Sequence, residues 1–169
     1  MLLAQCHDRD ALEKLLSSAL PSLRRYLRHL IGPQHSDDVT QEVLIIVCRK
    51  IGWLRQADLF RPWLFRVASR AAFRYLKKEK RWSDQIRNSG VLDHIAAPEP
   101  PSTDVLRELH SRDDLSPASR AVLILHFEEG LTLPEVAAVL DVPVGTIKSR
   151  LAYGLATLRT STEAKERKS

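Results

Sequence analysis

Apolar side chains recur every three or four residues along most of this chain, and the pattern lapses between residues 83 and 114. That spacing marks one face of a helix, so the chain reads as two groups of helices separated by a break. Leu12, Leu15, Leu16, Ala19, Leu20, Leu23, Tyr26, Leu27, Leu30 and Ile31 form the first stripe. Pro21 lies inside it and predicts a kink or a split, because proline has no N–H to give the preceding turn. Gly32-Pro33 predicts the end of that helix.

Ser36 is the expected N-cap of a second helix, with Asp37 and Asp38 placed to complement its dipole. Val39, Val43, Val47, Ile51 and Leu54 carry it to about Arg55. A third helix opens near Pro62, a favoured first-turn residue. Leu64, Val67, Ala68, Ala71, Tyr75 and Leu76 mark its inner face, and the periodicity runs unbroken through Ser69–Ala71.

Pro98, Pro100 and Pro101 exclude a regular helix from the stretch AAPEPPSTD, which reads as a linker with a short helix expected over 104–112. Ser116 as N-cap and Pro117 at the first position then launch a helix to about Glu129, closed by Gly130. Thr132-Leu133-Pro134-Glu135 has the form of a capping box. Its helix should reach Leu140, turn at Asp141-Val142-Pro143 and give way to a last helix over about 144–159. The expectation is an all-α chain. A helical bundle (1–82) is joined by an acidic linker (83–114) to a helix-turn-helix domain (115–160), with a polar tail (161–169). With aromatics at only 6%, the cores must be built mainly from Leu, Val, Ile and Ala.

Charge is distributed in blocks. Residues 1–48 carry a net −1, residues 49–82 a net +9, residues 83–114 a net −4 and residues 115–169 a net +1. A basic block of this kind is an electrostatic footprint for a polyanion. The first ten residues are too soon charged for a signal peptide, and the apolar run Val43–Cys48 is too short to span a bilayer. Cys6 and Cys48 make no disulfide framework and no zinc-ligand spacing. Cys48, in an apolar run, reads as core. A cytoplasmic setting without membrane insertion, metal or cofactor follows.

Two segments carry chemistry. The first is LTLPEVAAVLDVPVGTIKSRL, residues 131–151: an eight-residue helix, a three-residue turn and a longer helix. This spacing can place the first turns of the second helix in a DNA major groove. Val144, Gly145, Thr146, Lys148, Ser149 and Arg150 would meet the duplex there, while Ile147 and Leu151 face inward with Ala137 and Leu140. A plain helical hairpin remains an alternative for this segment alone.

The second is the outer face of the third helix, where Arg66, Arg70, Arg74, Lys77, Lys78 and Arg81 line up with only Glu79 against them. Like charges four residues apart destabilise a helix, so an anionic partner is expected. Trp53, Phe60, Trp63, Phe65, Phe73, Tyr75 and Trp82 lie in or beside the block. Aromatics among cations suit unstacked single-stranded bases, although Trp63 and Tyr75 read more readily as core. Asp37, Asp38, Gln41 and Glu42 read by themselves as a capped, solvated helix start. No glycine-rich phosphate loop and no nucleophile–base set stands out, which leaves no enzyme class and no small-molecule substrate to argue for.

In this order the segments resemble the small, two-domain, extracytoplasmic-function sigma factors of bacteria. The similar runs are DDVTQEVLIIVCRKI, FRPWLFRVASRAAFRYLKK and LSPASRAVLILHFEEGLTLPEVAAVLDVPVGTIKSRLAYGLATLR. The resemblance implies an N-terminal domain that binds core RNA polymerase and melts the −10 promoter element, and a C-terminal domain on the duplex −35 element. It implies that Asp38, Gln41 and Glu42 grip the polymerase. Trp63, Arg66, Ser69, Arg70 and Arg74 would hold the opened strand, with Lys77, Lys78 and Arg81 continuing the basic face. It also implies an anti-sigma protein that restrains the free chain. Arg70 stands where many relatives carry asparagine, which bears on base preference. Val144 stands where they often carry a polar residue, and could touch a thymine methyl instead. The family usually breaks the third helix at Ser69–Ala71, where periodicity predicts continuity. The competing classes are a stand-alone helix-turn-helix regulator with a dimerising or sensing bundle, and a helical protein-interaction module.

Overall fold

The computed structural model describes residues 9–54, 56–83 and 115–166, and every regular element among them is helical. The chain divides into two compact units. The first is built on α1 (Arg9–Ile31), α2 (Pro33–Lys50), a 3₁₀ turn (Ile51–Trp53) and α3 (Phe60–Ser83). The second is built on α4 (Pro117–Leu123), its π-helical continuation (Ile124–Glu128), α5 (Leu133–Leu140) and α6 (Val144–Glu166). The linker beyond Ser83, Cys6 and the short helix expected over 104–112 lie outside the described residues.

Pro21 does not split α1. It is exposed, and so is Ser17 one turn earlier, whose carbonyl would have taken the missing hydrogen bond. The unmade bond therefore faces water, while Leu23, Tyr26, Leu27 and Leu30 are buried and hold the helix in place. Gly32 ends α1 at φ 84, in the region that favours glycine, and its N–H reaches the Arg28 carbonyl at 3.0 Å.

The second helix starts earlier than expected. Pro33 occupies its first turn, and a proline there leaves no N–H to satisfy. Ser36 is consequently not the N-cap. It is buried inside α2, where its hydroxyl donates to the Pro33 carbonyl at 3.1 Å. Asp37 and Asp38 fall beyond the first turn, so the dipole argument does not apply to them. The helix also stops at Lys50, short of Arg55, and passes into the 3₁₀ turn. Cys48 is exposed rather than core, because the helical period turns only Val43 and Val47 of the run inward.

The third helix begins at Phe60 and runs without interruption through Ser69–Ala71, as periodicity predicts and against the family habit. Leu64, Phe65, Ala68, Ala71 and Ala72 point into the core shared with α1 and α2. Tyr26 and Phe65 meet edge to face, with centroids 5.4 Å apart and planes at 76°, a favoured aromatic geometry. The Tyr26 hydroxyl lies 2.7 Å from Ser69 Oγ, which itself donates to the Phe65 carbonyl at 2.7 Å. Ser69 has one hydroxyl proton, so its oxygen accepts from Tyr26.

Burial pushes the Tyr26 phenol well above the ordinary tyrosine range, against the lowering effect of the Ser69 hydrogen bond. In the unfolded chain the phenol ionises near pH ~10; in the fold it stays neutral. Its contribution is therefore complete below about pH 10 and is lost as pH rises beyond that, at about 1 kcal/mol per pH unit. Urea midpoints compared at about pH 9 and about pH 11 should fall more for the natural chain than for Tyr26→Phe. Equal losses would show that this phenol is not protected.

In the second unit Ser116 caps α4, its hydroxyl accepting the Ser119 N–H at 3.1 Å, with Pro117 behind it. The helix then widens to π geometry, and Gly130 (φ 70) ends it. Leu123 packs with Leu115, Leu155 and Leu158 between α4 and α6. Gly154 permits that approach: a Cβ there would lie 2.8 Å from Leu123 Cδ1. α6 continues to Glu166, beyond the expected end at Arg159, so residues 161–166 of the expected tail are helical. The sequence TEAKE supplies good helix formers there.

Candidate nucleic-acid interface

The α5–turn–α6 unit is fixed by local chemistry. Thr132 Oγ1 accepts the Glu135 N–H at 3.4 Å, and Glu135 Oε2 takes the Thr132 N–H at 2.8 Å and its hydroxyl at 2.7 Å. This is the capping box that the sequence predicts. The Thr132 hydroxyl, followed by its backbone N–H, holds the Glu135 carboxyl below its ordinary range. Asp141 ends α5 in the left-handed region at φ 60, a conformation that aspartate tolerates better than most residues. The Pro143 carbonyl then accepts from Thr146 at 2.9 Å and Ile147 at 3.2 Å, starting α6.

The inward set is as the spacing requires: Ala137 and Ile147 are buried, Leu140 and Leu151 half-buried. The outward set is graded. Val144, Gly145 and Lys148 are exposed, and Thr146, Ser149 and Arg150 are half-buried. Ser149 donates its hydroxyl to the Thr146 carbonyl at 3.0 Å, which engages it within the helix.

In the first unit Arg70, Arg74, Lys77 and Lys78 are exposed along one face of α3, with Arg66 half-buried at the head of the row. The α3 backbone carries Arg81 and Trp82 onward, but their side chains lie outside the described set. Trp63 is half-buried and tilted against Phe60, centroids 6.3 Å apart. Ser69 departs from the expectation. It is 1% exposed and both of its hydroxyl contacts are internal, so its side chain lies in the core and not on the exposed cationic face. Trp53, by contrast, is 86% exposed.

On α2, Asp38, Gln41 and Glu42 are exposed at the spacing of one helix face. Ile45 follows one turn on and is 53% exposed. Sequence reading missed it, since an isoleucine in an apolar run signals core; only the exact helix register separates it from Val43 and Val47. Glu42 Oε1 meets Arg74 at 2.5 Å, which joins this face to the basic row. The two side chains are 63% and 48% exposed, and pairs that accessible contribute at most about 1 kcal/mol. The Tyr75 ring tilts on His35 at 5.0 Å. Desolvation raises its phenol, helped by the charge and hydrogen bond of Glu79 and the charge of Asp38.

Comparison with known proteins follows the same division. The family model for Sigma-70 region 2 matches residues 15–82, and that for Sigma-70, region 4 matches residues 113–160. The ECF RNA polymerase sigma-E factor of Escherichia coli is 31% identical over 127 residues, covering 68% of this chain and 66% of the relative, just under two thirds of its length. The same-named protein of Haemophilus influenzae is 26% identical over 157 residues, covering 85% and 83%. Among solved structures, the sigma factor RpoE in complex with the anti-sigma factor NepR from Bartonella quintana superposes with a TM-score of 0.69. Its sequence identity is 22%, over 90% of this chain and 97% of that one. CnrH in complex with the cytosolic domain of CnrY gives a TM-score of 0.66 at 21% identity, over 96% and 94%. At these identities the solved structures speak for the fold.

Proposed function

The chain belongs to the extracytoplasmic-function sigma factors of the sigma-70 family, and on that premise we propose that it binds core RNA polymerase and directs promoter-specific transcription initiation. The observation that supports this reading is that two exposed surfaces of different character stand on two separate units. One is a helix front of groove size, Val144 to Arg150; the other is a row of exposed cations on α3. The first suits intact duplex, the second an opened strand.

The roles divide accordingly. Val144, Gly145, Thr146, Lys148 and Arg150 meet the −35 duplex, with Ser149 supporting from within the helix. Arg66, Arg70, Arg74, Lys77, Lys78 and Arg81 neutralise phosphates of the melted −10 strand, and Trp63 stands at the head of that row. Asp38, Gln41 and Glu42 bind the polymerase. The protein acts by binding and contributes no catalytic group, and its place of work is the cytoplasm. An anti-sigma protein that sequesters the free chain belongs to the same proposal. The solved sigma factor RpoE, of similar fold, carries such a partner, the anti-sigma factor NepR, in its complex.

Run-off transcription with purified core polymerase tests the reading directly. The chain should confer a defined start on a subset of fragments from a genomic library; no promoter-specific product would reject it. Tight binding to duplex by a symmetric dimer without polymerase would favour a stand-alone regulator instead. Asp38→Ala combined with Gln41→Ala should weaken core binding by about 10- to 30-fold, as for the loss of two well-placed interface groups. Both side chains are exposed, so thermal unfolding should stay within about 0.5 kcal/mol of the natural chain. Unchanged co-purification with core would reject the assignment of this face.

A further inference from the structure

We infer that Val144 is the base-selecting residue of the duplex-binding helix and that it reads the 5-methyl group of thymine. The inference rests on the reading above and adds the chemistry by which that site chooses sequence. Val144 opens α6 and is 37% exposed, one of few large apolar side chains among the described residues left so open.

Within the first turn its neighbours leave base contact to it. Gly145 has no side chain, and a Cβ built there would meet nothing within 4 Å, so the first turn presents open space beside Val144. Thr146 is half-buried. Ser149 has committed its hydroxyl proton to the Thr146 carbonyl. Ile147 is buried. The first exposed cation, Lys148, comes a turn later and carries a point charge that suits phosphate as readily as a base edge. The exposed first turn therefore lacks the Asn, Gln or Arg that reads a base edge through two hydrogen bonds. What it offers is a methyl-bearing surface. In the major groove the one matching feature of any base is the thymine methyl.

The test uses holoenzyme reconstituted from core polymerase and the full chain, on a promoter found by run-off selection. Each thymine of the −35 duplex is replaced singly by uracil, which removes the methyl and leaves every hydrogen-bonding group in place. At one or two positions binding should weaken by about fourfold, the worth of one buried carbon. With Val144→Ala those same replacements should cost less than about 1.5-fold, because the methyl no longer has a partner. Val144 is exposed, so the variant retains its fold. If no uracil replacement matters, or if the penalty persists in Val144→Ala, the inference is overturned while the sigma-factor reading stands. If the holoenzyme selects no promoter at all, both fall together.

Discussion

Replacing Arg70, Lys77 and Lys78 with glutamate in one chain should weaken single-strand capture by roughly 100-fold at 0.1 M salt. Core-polymerase affinity should stay within about threefold, as expected for groups outside that interface. The first figure follows from counterion release: each phosphate contact on a single strand contributes a slope of about 0.7 in log K against log salt. Losing three such contacts should flatten the salt dependence by about two units. Fork-junction DNA titrated with holoenzyme across a salt series measures both quantities. The stability expected of the same variant makes the result diagnostic. In the natural chain Arg70 and Lys78 each lie four residues from Arg74, a like-charged spacing that costs a helix a few tenths of a kcal/mol. R70E and K78E turn both repulsions into attractions, which offsets the interaction that Arg70 gives up, so the variant should unfold within about 1 kcal/mol of the natural chain. Loss of strand capture in a protein of near-natural stability would locate the function in the charge itself. An unchanged salt slope would remove α3 from the DNA-binding surface.

The helices were legible wherever a local rule decides. The Thr132–Glu135 box, the Ser116-Pro117 start, the Gly32 and Gly130 ends and the three-residue turn before Val144 involve neighbours in sequence, and the structure has them where the spacing puts them. Where a tertiary contact competes with a local signal, the local signal misleads. Ser36 has the profile of an N-cap, but Pro33 can open the helix first and the serine is drawn into the core. Pro21 has the profile of a break, but the Ser17 carbonyl that loses its partner lies on the exposed face and the packing of Leu23, Tyr26 and Leu27 outweighs it.

The candidate site shows the same division. Which face of α6 points outward is set by the 3.6-residue period, and Ile147 and Lys148 follow it. Ser69 does not follow from its neighbours, because its burial depends on Tyr26, 43 residues away along the chain. The pairing of Glu42 with Arg74 joins residues 32 apart and was equally invisible. That pair has a functional meaning in the proposed reading. A partner that engages Glu42 competes with Arg74 for it, and Arg74 then becomes available to a phosphate. At the exposure observed, the effect is small, at most about fivefold, and it favours strand capture by the polymerase-bound chain.

Phe65→Ala should cost about 3–5 kcal/mol, as is usual for an aromatic ring removed from a packed core. Phe65 is fully buried, its ring receives the edge-to-face contact with Tyr26, and its backbone carbonyl accepts the Ser69 hydroxyl. Against a total stability of about 5–15 kcal/mol for a typical domain, the loss corresponds to roughly 15–30 °C in the unfolding of a unit this size. A drop of under about 5 °C would show that the core repacks around the cavity and that the Tyr26–Phe65 contact is not central. Tyr26→Phe keeps the ring pair and removes only the hydroxyl, at a cost of about 1 kcal/mol, so the two variants separate packing from hydrogen bonding. The consequence for function is the converse of the charge reversal. Phe65, with Leu64, Ala68, Ala71 and Ala72, fixes which way α3 faces, and so holds Arg70, Arg74 and Lys77 toward solvent. Phe65→Ala leaves every cation in the sequence and should still lose strand capture once the first unit loosens. Arg70→Glu with Lys77→Glu and Lys78→Glu keeps the unit folded and loses capture by sign alone. Only a surface whose function needs both the charge and its orientation predicts the two outcomes together.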